Sequence, residues 1–163
     1  MKVDLLAPLS GRVVALDDVP DPVFSERMAG DGVAIDPDPG PEGRPATVVA
    51  PCDGRLTVLF PGGHALAVTT SAGLEVIVHL GLDTVELGGE GFEALVHQGD
   101  GVRAGQPLVR FDLMAVRTRG KSALSPVLVA ASADVVGISV THRTSVEAGR
   151  DTLISVVLKD RDG

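Results

Sequence analysis

Two of the four histidines in this sequence are placed where their chemistry could be used. His79 lies inside the apolar run LEVIVHL (74–80), and His64 opens the apolar run before it, GHALAV. Histidine ionises near neutral pH, and its neutral ring nitrogen is both a nucleophile and a metal ligand. Two such rings on neighbouring runs, followed by Asp83, indicate either nucleophilic chemistry or a metal site.

Alternation along residues 74–80 places His79 outside the core. Successive side chains of a strand point to opposite faces of a sheet. One face holds four apolar residues: Leu74, Val76, Val78 and Leu80. The other holds Glu75, Ile77, His79 and Gly81. The short connection SAG (71–73) predicts an antiparallel hairpin with the preceding strand, so we expect the rings of His64 and His79 to approach each other.

Short strands dominate the rest of the chain. Runs rich in β-branched residues and bounded by Gly, Pro or Asp predict strands at 13–16, 55–60, 65–70, 74–80, 107–112, 127–131 and 152–158. A short helix is predicted over Leu113–Arg119, with Asp112 as its cap. Residues 17–46 hold most of the prolines and many acids. They predict a long surface loop with one helical turn near Ser25–Met28.

Two internal repeats indicate how the strands are arranged. LLAPLSGRVVAL (5–16) resembles VVAPCDGRLTVL (48–59), and VRAGQPLV (102–109) resembles VEAGRDTLI (146–154). Each is a strand, a tight turn and a second strand, which is typical of a duplicated β motif. We therefore expect an all-β protein with little helix, folded as an antiparallel β-sandwich or flattened barrel.

Composition limits the size and the partners of the protein. At 163 residues, the chain fits one domain over 1–163, with its core over about 6–157. A net charge of −8, four Phe and no Trp or Tyr make nucleic acid a poor partner. The acidic surface favours a basic protein partner, or serves only for solubility.

The N-terminal sequence and the cysteine content indicate a cytoplasmic protein. MKVDLLAPLSG has neither the apolar core of a signal peptide nor a membrane-spanning run, so direct membrane insertion is not expected. Cys52 is the single cysteine, which excludes an internal disulfide and a thiolate zinc cage. We expect it to be a small buried residue.

The sequence resembles a known family along nearly its whole length, from about Leu6 to Val157. The segments that carry the resemblance are APLSGRVV, DVPDPVFSERMAGDGVAI, VVAPCDGRL, GHALAV and VHLGLDTVELGGEGFEALVHQGDGV. Together they resemble the glucose-type IIA domain of the bacterial phosphoenolpyruvate-dependent sugar phosphotransferase system. The resemblance implies an antiparallel β-sandwich. It also implies a phosphoryl carrier that is a relay component rather than a complete enzyme.

The resemblance assigns roles to both histidines. His79 would accept the phosphoryl group as a tele-phosphohistidine, and His64 would stabilise that group. The donor would be the phosphohistidine of the general carrier HPr, and the acceptor the IIB domain of a sugar transporter. Phosphoryl transfer needs mainly positioning and charge stabilisation, so we expect no cofactor. Backbone N–H groups around Gly81 are expected to assist His64.

A docking surface around the histidines is also implied. Its apolar part would comprise Val23, Phe24, Phe60 and Ile77, with Asp21 and Asp83 as an acidic rim that meets arginine on the upstream carrier. Some family members hold zinc between the two histidines and a partner carboxylate. His64 and His79 alone would therefore form only a weak zinc site.

One departure from the family pattern concerns the residues before His64. Family members commonly have a hydroxyl or amide side chain there, whereas this chain has Gly62 and Gly63. The support of His64 must therefore come from the backbone or from elsewhere. His97 and His142 match no family histidine, and we expect both on the surface.

Other functions are weighed against the relay. A zinc peptidase of related fold would need further ligands, typically from an HxH pair, which the chain lacks. A biotinyl or lipoyl carrier would need a modifiable lysine at a hairpin tip, and none of the three lysines has that setting. A regulatory protein-binding module, controlled by phosphorylation state, remains the alternative. The sugar stays open among glucose, N-acetylglucosamine, trehalose and β-glucosides.

Overall fold

The computed structural model describes residues 1–160 and contains mainly β-strands. The strands are β1 (Lys2–Leu6), β2 (Gly11–Ala15), β3 (Asp31–Pro37), β4 (Ala46–Val49), β5 (Gly54–Leu59), β6 (Ala65–Thr69), β7 (Glu75–His79), β8 (Phe92–Ala94), β9 (Gly101–Val102), β10 (Pro107–Phe111), β11 (Ser125–Val129), β12 (Val135–Val140), β13 (Ser145–Val146) and β14 (Thr152–Leu158). The helices are α1 (Pro22–Ser25) and α2 (Leu113–Thr118). Single 3-10 turns span Leu16–Asp18, Pro41–Gly43 and Thr84–Leu87.

The strands form three antiparallel sheets. The largest has the order β13-β2-β3-β11-β7-β6-β5-β9, and two smaller sheets have the orders β1-β14-β12 and β4-β10-β8. The arrangement is an unclosed sandwich, which confirms the antiparallel β-sandwich expected from the strand pattern. β6 and β7 lie well inside the large sheet, each with a hydrogen-bonded neighbour on both sides.

The internal repeats correspond to repeated strand pairing. β1 pairs with β14 and β2 with β13, just as β4 pairs with β10 and β5 with β9. The turns also match, because the Gly149 N–H donates to the Ala7 carbonyl at 2.9 Å and the Gly105 N–H to the Ala50 carbonyl at 2.8 Å. Both alanines stand at the same place in the repeated APxxG turn. The sequence repeats thus describe a duplicated structural unit.

Apolar residues pack in two clusters. The larger one fills the space between the sheets and includes Val76 and Val78 on the inner face of β7 and Leu80 just after it. The smaller one covers part of the outer face of the large sheet, and its buried members are Leu16, Val19, Phe24, Ala34, Leu82 and Leu128. Ile77, on the outer face of β7, packs against this smaller cluster. The second cluster therefore attaches α1 and the segment before it to the strand that carries His79.

The expectation of a long surface loop over 17–46 is wrong. This segment contains β3, which pairs with both β2 and β11 inside the large sheet. Val33 and Ile35 are buried in the larger cluster and Ala34 in the smaller one. A strand buried on both faces lacks the alternation of polar and apolar residues by which strands are predicted. The acids and prolines that flank β3 also favour the prediction of a loop. The helical turn in this segment is α1 at Pro22–Ser25, slightly before the expected position.

The remaining expectations for secondary structure agree with the model within one or two residues. The first run is one such case, because β2 begins at Gly11, two residues before the expected start, and Leu16 already lies in a 3-10 turn. Helix α2 begins after Asp112, whose side chain accepts a hydrogen bond from the Ala115 N–H. No helix within residues 1–160 is both long and apolar enough to span a bilayer. The expected domain runs to 163, and its last three residues lie outside the described part.

Candidate functional site

The pairing of β6 with β7 brings the two histidines together. His79 is the register partner of Ala65, and the backbone N–H of Leu80 donates to the His64 carbonyl at 2.7 Å. The two imidazole rings lie 5.8 Å apart, centroid to centroid, in an edge-to-face arrangement. The hairpin expected from the SAG connection is therefore present, and it places both rings in one site.

His79 lies on the outer face of β7, as the alternation predicts. Leu74, Val76, Val78 and Leu80 are all buried, whereas His79 and Ile77 are half-buried. The ring of Phe24 packs 5.2 Å from the ring of His79. His79 is thus held against the smaller apolar cluster and keeps part of its ring at the surface.

One nitrogen of His79 is committed to the backbone. Its Nδ1 lies 2.7 Å from the carbonyl oxygen of Gly81. A carbonyl oxygen only accepts hydrogen bonds, so Nδ1 must carry the proton. In the neutral ring, Nε2 is then left with a free lone pair. The geometry therefore leaves Nε2 as the ring nitrogen with an available lone pair.

The backbone that holds His79 is itself fixed. The Gly81 N–H donates to the buried hydroxyl of Ser125 at 3.3 Å, and that hydroxyl donates to the Ala123 carbonyl at 2.8 Å. The hydroxyl of Thr84 donates to the Leu80 carbonyl at 2.6 Å. No sequence pattern indicates Ser125 or Thr84, since their contribution depends on contacts that only the fold creates.

The expectation that backbone N–H groups around Gly81 assist the phosphoryl group is wrong for three of them. The N–H of Gly81 is bonded to Ser125. The N–H of Leu80 donates to the His64 carbonyl and that of Leu82 to the Ser122 carbonyl at 3.0 Å. These three N–H groups are therefore occupied by hydrogen bonds within the protein. Of the groups named in that expectation, the ring of His64 is the one that these bonds leave in place.

His64 is more deeply placed than His79, with 5% of its surface exposed. The rings of Phe60 and Phe92 lie 5.3 Å and 6.5 Å from its ring. Burial lowers the pKa of His64, the nearby His79 lowers it further, and a hydrogen bond to the backbone of Pro61 opposes the shift. The backbone of Pro61 is therefore the candidate support of His64 in place of a side chain at Gly62 or Gly63.

The pKa of His79 is also lowered, because burial disfavours its charged form. The hydrogen bond to Gly81 and the charges of Asp21 and Asp83 act in the opposite direction without overcoming burial. Both rings are therefore neutral at neutral pH, which keeps the lone pair of His79 available for nucleophilic attack.

The expected docking residues divide into exposed and packed ones. Val23 and Phe60 are exposed by 44% and 49%, and Ile77 is half-buried. Phe24 is only 5% exposed and belongs to the smaller cluster, so it supports His79 rather than offering a surface. Val85, two residues after Asp83, is also exposed, although the sequence did not predict it as a docking residue.

Both acids of the expected rim lie close enough to influence His79. Asp21 caps α1, because its side chain accepts a hydrogen bond from the Val23 N–H at 3.0 Å. Asp83 is exposed and has a left-handed backbone conformation with φ of 58°. Each raises the pKa of His79 through its charge. The acidic rim is therefore next to the candidate nucleophile.

Within residues 1–160, no group of three or more His, Cys, Asp or Glu side chains is arranged to hold a metal ion. His64 and His79 supply two ligands, and a zinc site there needs the rest from a partner. His97 and His142 are exposed, as expected. Cys52 is buried as expected, and burial raises the pKa of its thiol to about 11, which makes it a poor nucleophile.

A known family matches most of this chain. The model of the "phosphoenolpyruvate-dependent sugar phosphotransferase system, EIIA 1" family matches residues 3–135. This range includes both histidines, the two acids of the rim and the segment that contains Ser125. All the elements of the candidate site thus lie inside the family match.

Individual proteins and one solved structure agree with the family match. The glucose-specific EIIA component of Staphylococcus aureus is 40% identical over 156 residues, which cover 96% of this chain and 90% of the relative. The protein of the same name from Staphylococcus epidermidis is 39% identical over the same shares. The glucose permease IIA of Mycoplasma capricolum has a TM-score of 0.85 and 36% identity, covering 95% of this chain and 96% of that one.

Proposed function

This chain belongs to the EIIA 1 family of the phosphoenolpyruvate-dependent sugar phosphotransferase system, and on that premise we propose that it is a phosphoryl carrier with His79 as its acceptor. The donor is the phosphohistidine of the general carrier HPr. The recipient is the IIB domain of a sugar transporter. The observation that carries the assignment is the bond from Nδ1 of His79 to the Gly81 carbonyl, which leaves Nε2 free in a half-buried ring.

The transfer is an exchange of one P–N bond for another. The lone pair of His79 Nε2 attacks phosphorus while the P–N bond to the donor imidazole breaks, and the donor nitrogen keeps that electron pair. The proton on Nδ1 stays on its hydrogen bond to Gly81. Onward transfer reverses these roles, because His79 becomes the leaving group. No cofactor enters either step.

His64 is the group we assign to charge stabilisation. Its ring lies 5.8 Å from that of His79, close enough for an N–H to reach an oxygen of a phosphoryl group on Nε2. Preorganised donors aimed at transferred charge lower the barrier of such reactions. The backbone donors nearest to His79 are already bonded, so the contribution of His64 is correspondingly larger.

The surface around His79 fits the partners of a relay. Val23 and Phe60 expose apolar surface, and Asp21 and Asp83 supply negative charge beside the ring. An apolar centre with a charged rim is typical of transient protein interfaces. We assign Phe24 to the support of the ring and Ile77 to the edge of this surface. The basic partner expected from the net charge of −8 meets the acidic rim.

We propose the sugar and the compartment by similarity to the relatives. Those quoted above are named glucose-specific, so glucose is the sugar we assign first. The phosphoryl donors of this system act in the cytoplasm, where we place the protein. We treat the chain as a single domain, because both apolar clusters draw on residues from widely separated parts of it.

A reconstituted relay tests the proposal. The protein is incubated with phosphoenolpyruvate, the general phosphotransferase enzyme and HPr, and acid-labile phosphate on the protein is measured. A glucose transporter containing a IIB domain is then added, and glucose phosphorylation is followed. Uptake without transfer to any transporter would contradict the relay. A protein that takes up no phosphate yet binds partners would instead be the regulatory module.

A further inference from the structure

The turn before His64 lies in close contact with the segment that follows His79. A Cβ atom placed on Gly62 would lie 2.6 Å from the Cα of Gly89, which is shorter than any normal contact. In the reverse direction, a Cβ on Gly89 would lie 3.1 Å from the Cα of Gly62. The two backbones therefore approach as closely as they do because both residues lack a side chain.

This contact involves the turn that leads into His64. The Gly63 N–H donates to the Phe60 carbonyl at 2.8 Å, and the Phe60 N–H donates to the Ala65 carbonyl at 3.0 Å, which closes the turn around residues 60–65. The ring of Phe60, at the start of this turn, lies 5.3 Å from the ring of His64, and the backbone of Pro61 acts on the ring by raising its pKa. Moving Gly62 therefore moves the groups that act on the ring.

The other side of the contact is anchored near the site as well. Gly89 follows the 3-10 turn at Thr84–Leu87, and its carbonyl accepts a hydrogen bond from the Phe92 N–H at 3.1 Å. The ring of Phe92 lies 6.5 Å from that of His64. The segment after His79 thus touches the His64 turn through a backbone contact at Gly62 and reaches the ring through Phe92.

We propose that Gly62 is a positioning residue, and that its backbone contact with Gly89 fixes the turn that places the His64 ring against His79, since Gly62 and Gly63 offer no side chain for this purpose. The proposal rests on the assigned relay for its effect on transfer. Its effect on the ring itself is independent of that assignment. A displacement of about 1 Å in a group that stabilises a transition state can cost up to about a hundredfold in rate.

The chain offers a matched control at the next position. Gly62 and Gly63 both have φ of 91°, a conformation that disfavours any side chain, so alanine strains the backbone at either site. At Gly63, however, the nearest atom to an added Cβ is a side-chain carbon 3.6 Å away, an ordinary contact. Comparing Gly62→Ala with Gly63→Ala therefore separates the contact with Gly89 from backbone strain.

The first measurement is of the ring. In NMR spectra of the full chain, Gly62→Ala is expected to shift the titration of His64 and weaken the cross-peaks between the rings of His64 and His79. Gly63→Ala is expected to leave both close to wild type.

The second measurement is of phosphoryl transfer. Gly62→Ala should still take up phosphate on His79, with onward transfer to the IIB domain slower than in Gly63→Ala by about tenfold or more.

Two further variants approach the contact from its other side. Gly89→Ala, with its closest atom at 3.1 Å, is expected to show the same ring changes as Gly62→Ala to a smaller extent. Gly88→Ala has no atom within 4 Å of the added Cβ and serves as its control. If Gly62→Ala does not fold, the comparison of Gly89→Ala with Gly88→Ala decides the question.

The possible results separate the two proposals. If Gly62→Ala equals Gly63→Ala in both ring spectra and onward transfer, Gly62 is not a positioning residue. Ring spectra that change with unchanged transfer would support the positioning of the ring by Gly62 and would overturn its expected effect on onward transfer. If the wild-type chain takes up no phosphate, the proposed function fails, and the ring spectra alone test whether the contact positions His64.

Discussion

Nδ1 of His79 and the carbonyl oxygen of Gly81 lie 2.7 Å apart, and this distance determines which nitrogen can react. The carbonyl fixes the proton on Nδ1 and leaves the lone pair on Nε2. The same bond holds the ring at a constant angle on β7 while its burial against Phe24 keeps it neutral. A neutral ring fixed through one nitrogen and open at the other is suited to accept and release a phosphoryl group.

Replacing His79 by alanine is expected to abolish phosphate uptake with the fold retained. His79 lies outside the larger apolar cluster, so its removal leaves the packing between the sheets intact. Uptake is measured as acid-labile phosphate after incubation with phosphoenolpyruvate and the two general proteins, and folding by circular dichroism. His97→Ala, at an exposed histidine, is the control and should label normally. Normal labelling of His79→Ala would reject the assignment.

The position of His79 could be predicted from sequence because it depends on local pattern alone. Alternation over Leu74–Leu80 fixes the face of each side chain, and the short connection before it fixes the pairing with β6. By contrast, β3 was missed because Val33, Ala34 and Ile35 are all buried and give no alternation. Its place beside β2 and β11 is set by long-range pairing rather than by its own residues.

Contacts between distant segments account for what the sequence did not show of the site. Ser125 lies 44 positions from Gly81, and nothing in the run SALSPVLV indicates that its hydroxyl meets that backbone. Phe24 fitted equally well as a docking residue and as a packed one until its burial was known. Local pattern predicts the candidate reactive residues, whereas the residues that support them depend on three-dimensional contacts.

Replacing His64 by glutamine is expected to separate uptake from onward transfer. Glutamine keeps a hydrogen-bond donor, so His79 should still be labelled. Onward transfer requires His79 to leave, and a poorly placed donor there costs on the order of 2 to 4 kcal/mol, by analogy with the loss of one transition-state donor. Phosphohistidine formation and sugar phosphorylation are measured in one reconstituted relay. Blocked labelling in His64→Gln together with normal labelling in His79→Gln would reverse the two roles.

Replacing both Asp21 and Asp83 by asparagine is expected to slow transfer from the upstream carrier and to weaken its dependence on salt. Both charges act on His79, and an acidic rim accelerates encounter with a basic partner. Asparagine preserves the cap of α1, because its carbonyl can accept from the Val23 N–H. The rate is measured by rapid quench at low and high salt.

The control for the acidic rim removes the same charge elsewhere. Asp38→Asn with Glu42→Gln changes two exposed acids between β3 and β4 that are not among the charges acting on His79. This double variant should keep the wild-type rate. Equal slowing in both double variants would show that net charge matters and the rim does not.

Replacing Ser125 by alanine is expected to destabilise the protein by about 1 to 3 kcal/mol, because the Gly81 N–H loses its partner in a buried site. The free energy of unfolding is measured by urea titration. Ser122→Ala is the control: its hydroxyl accepts a hydrogen bond from the Leu124 N–H only at an exposed position, where water can replace it, so the change should be no more than about 0.5 kcal/mol. A Ser125→Ala variant as stable as Ser122→Ala would show that the bond to Gly81 does not contribute.

Acidification is expected to destabilise the protein through its two site histidines. Burial lowers the pKa of both His64 and His79 below the ordinary value of 6.5, so between the folded and unfolded pKa values the unfolded chain binds more protons. The free energy of unfolding therefore rises with pH in this interval. The contribution of the two rings to it is complete above about pH 6.5 and is lost as the pH falls through the folded pKa values. Urea unfolding is compared at about pH 7.5 and about pH 5.5 for wild type and for the double variant His64→Gln with His79→Gln. Wild type should lose more stability than the variant over this range, because carboxylates titrate in both proteins and cancel. Parallel losses would show that the two rings are not held in their neutral forms by the fold.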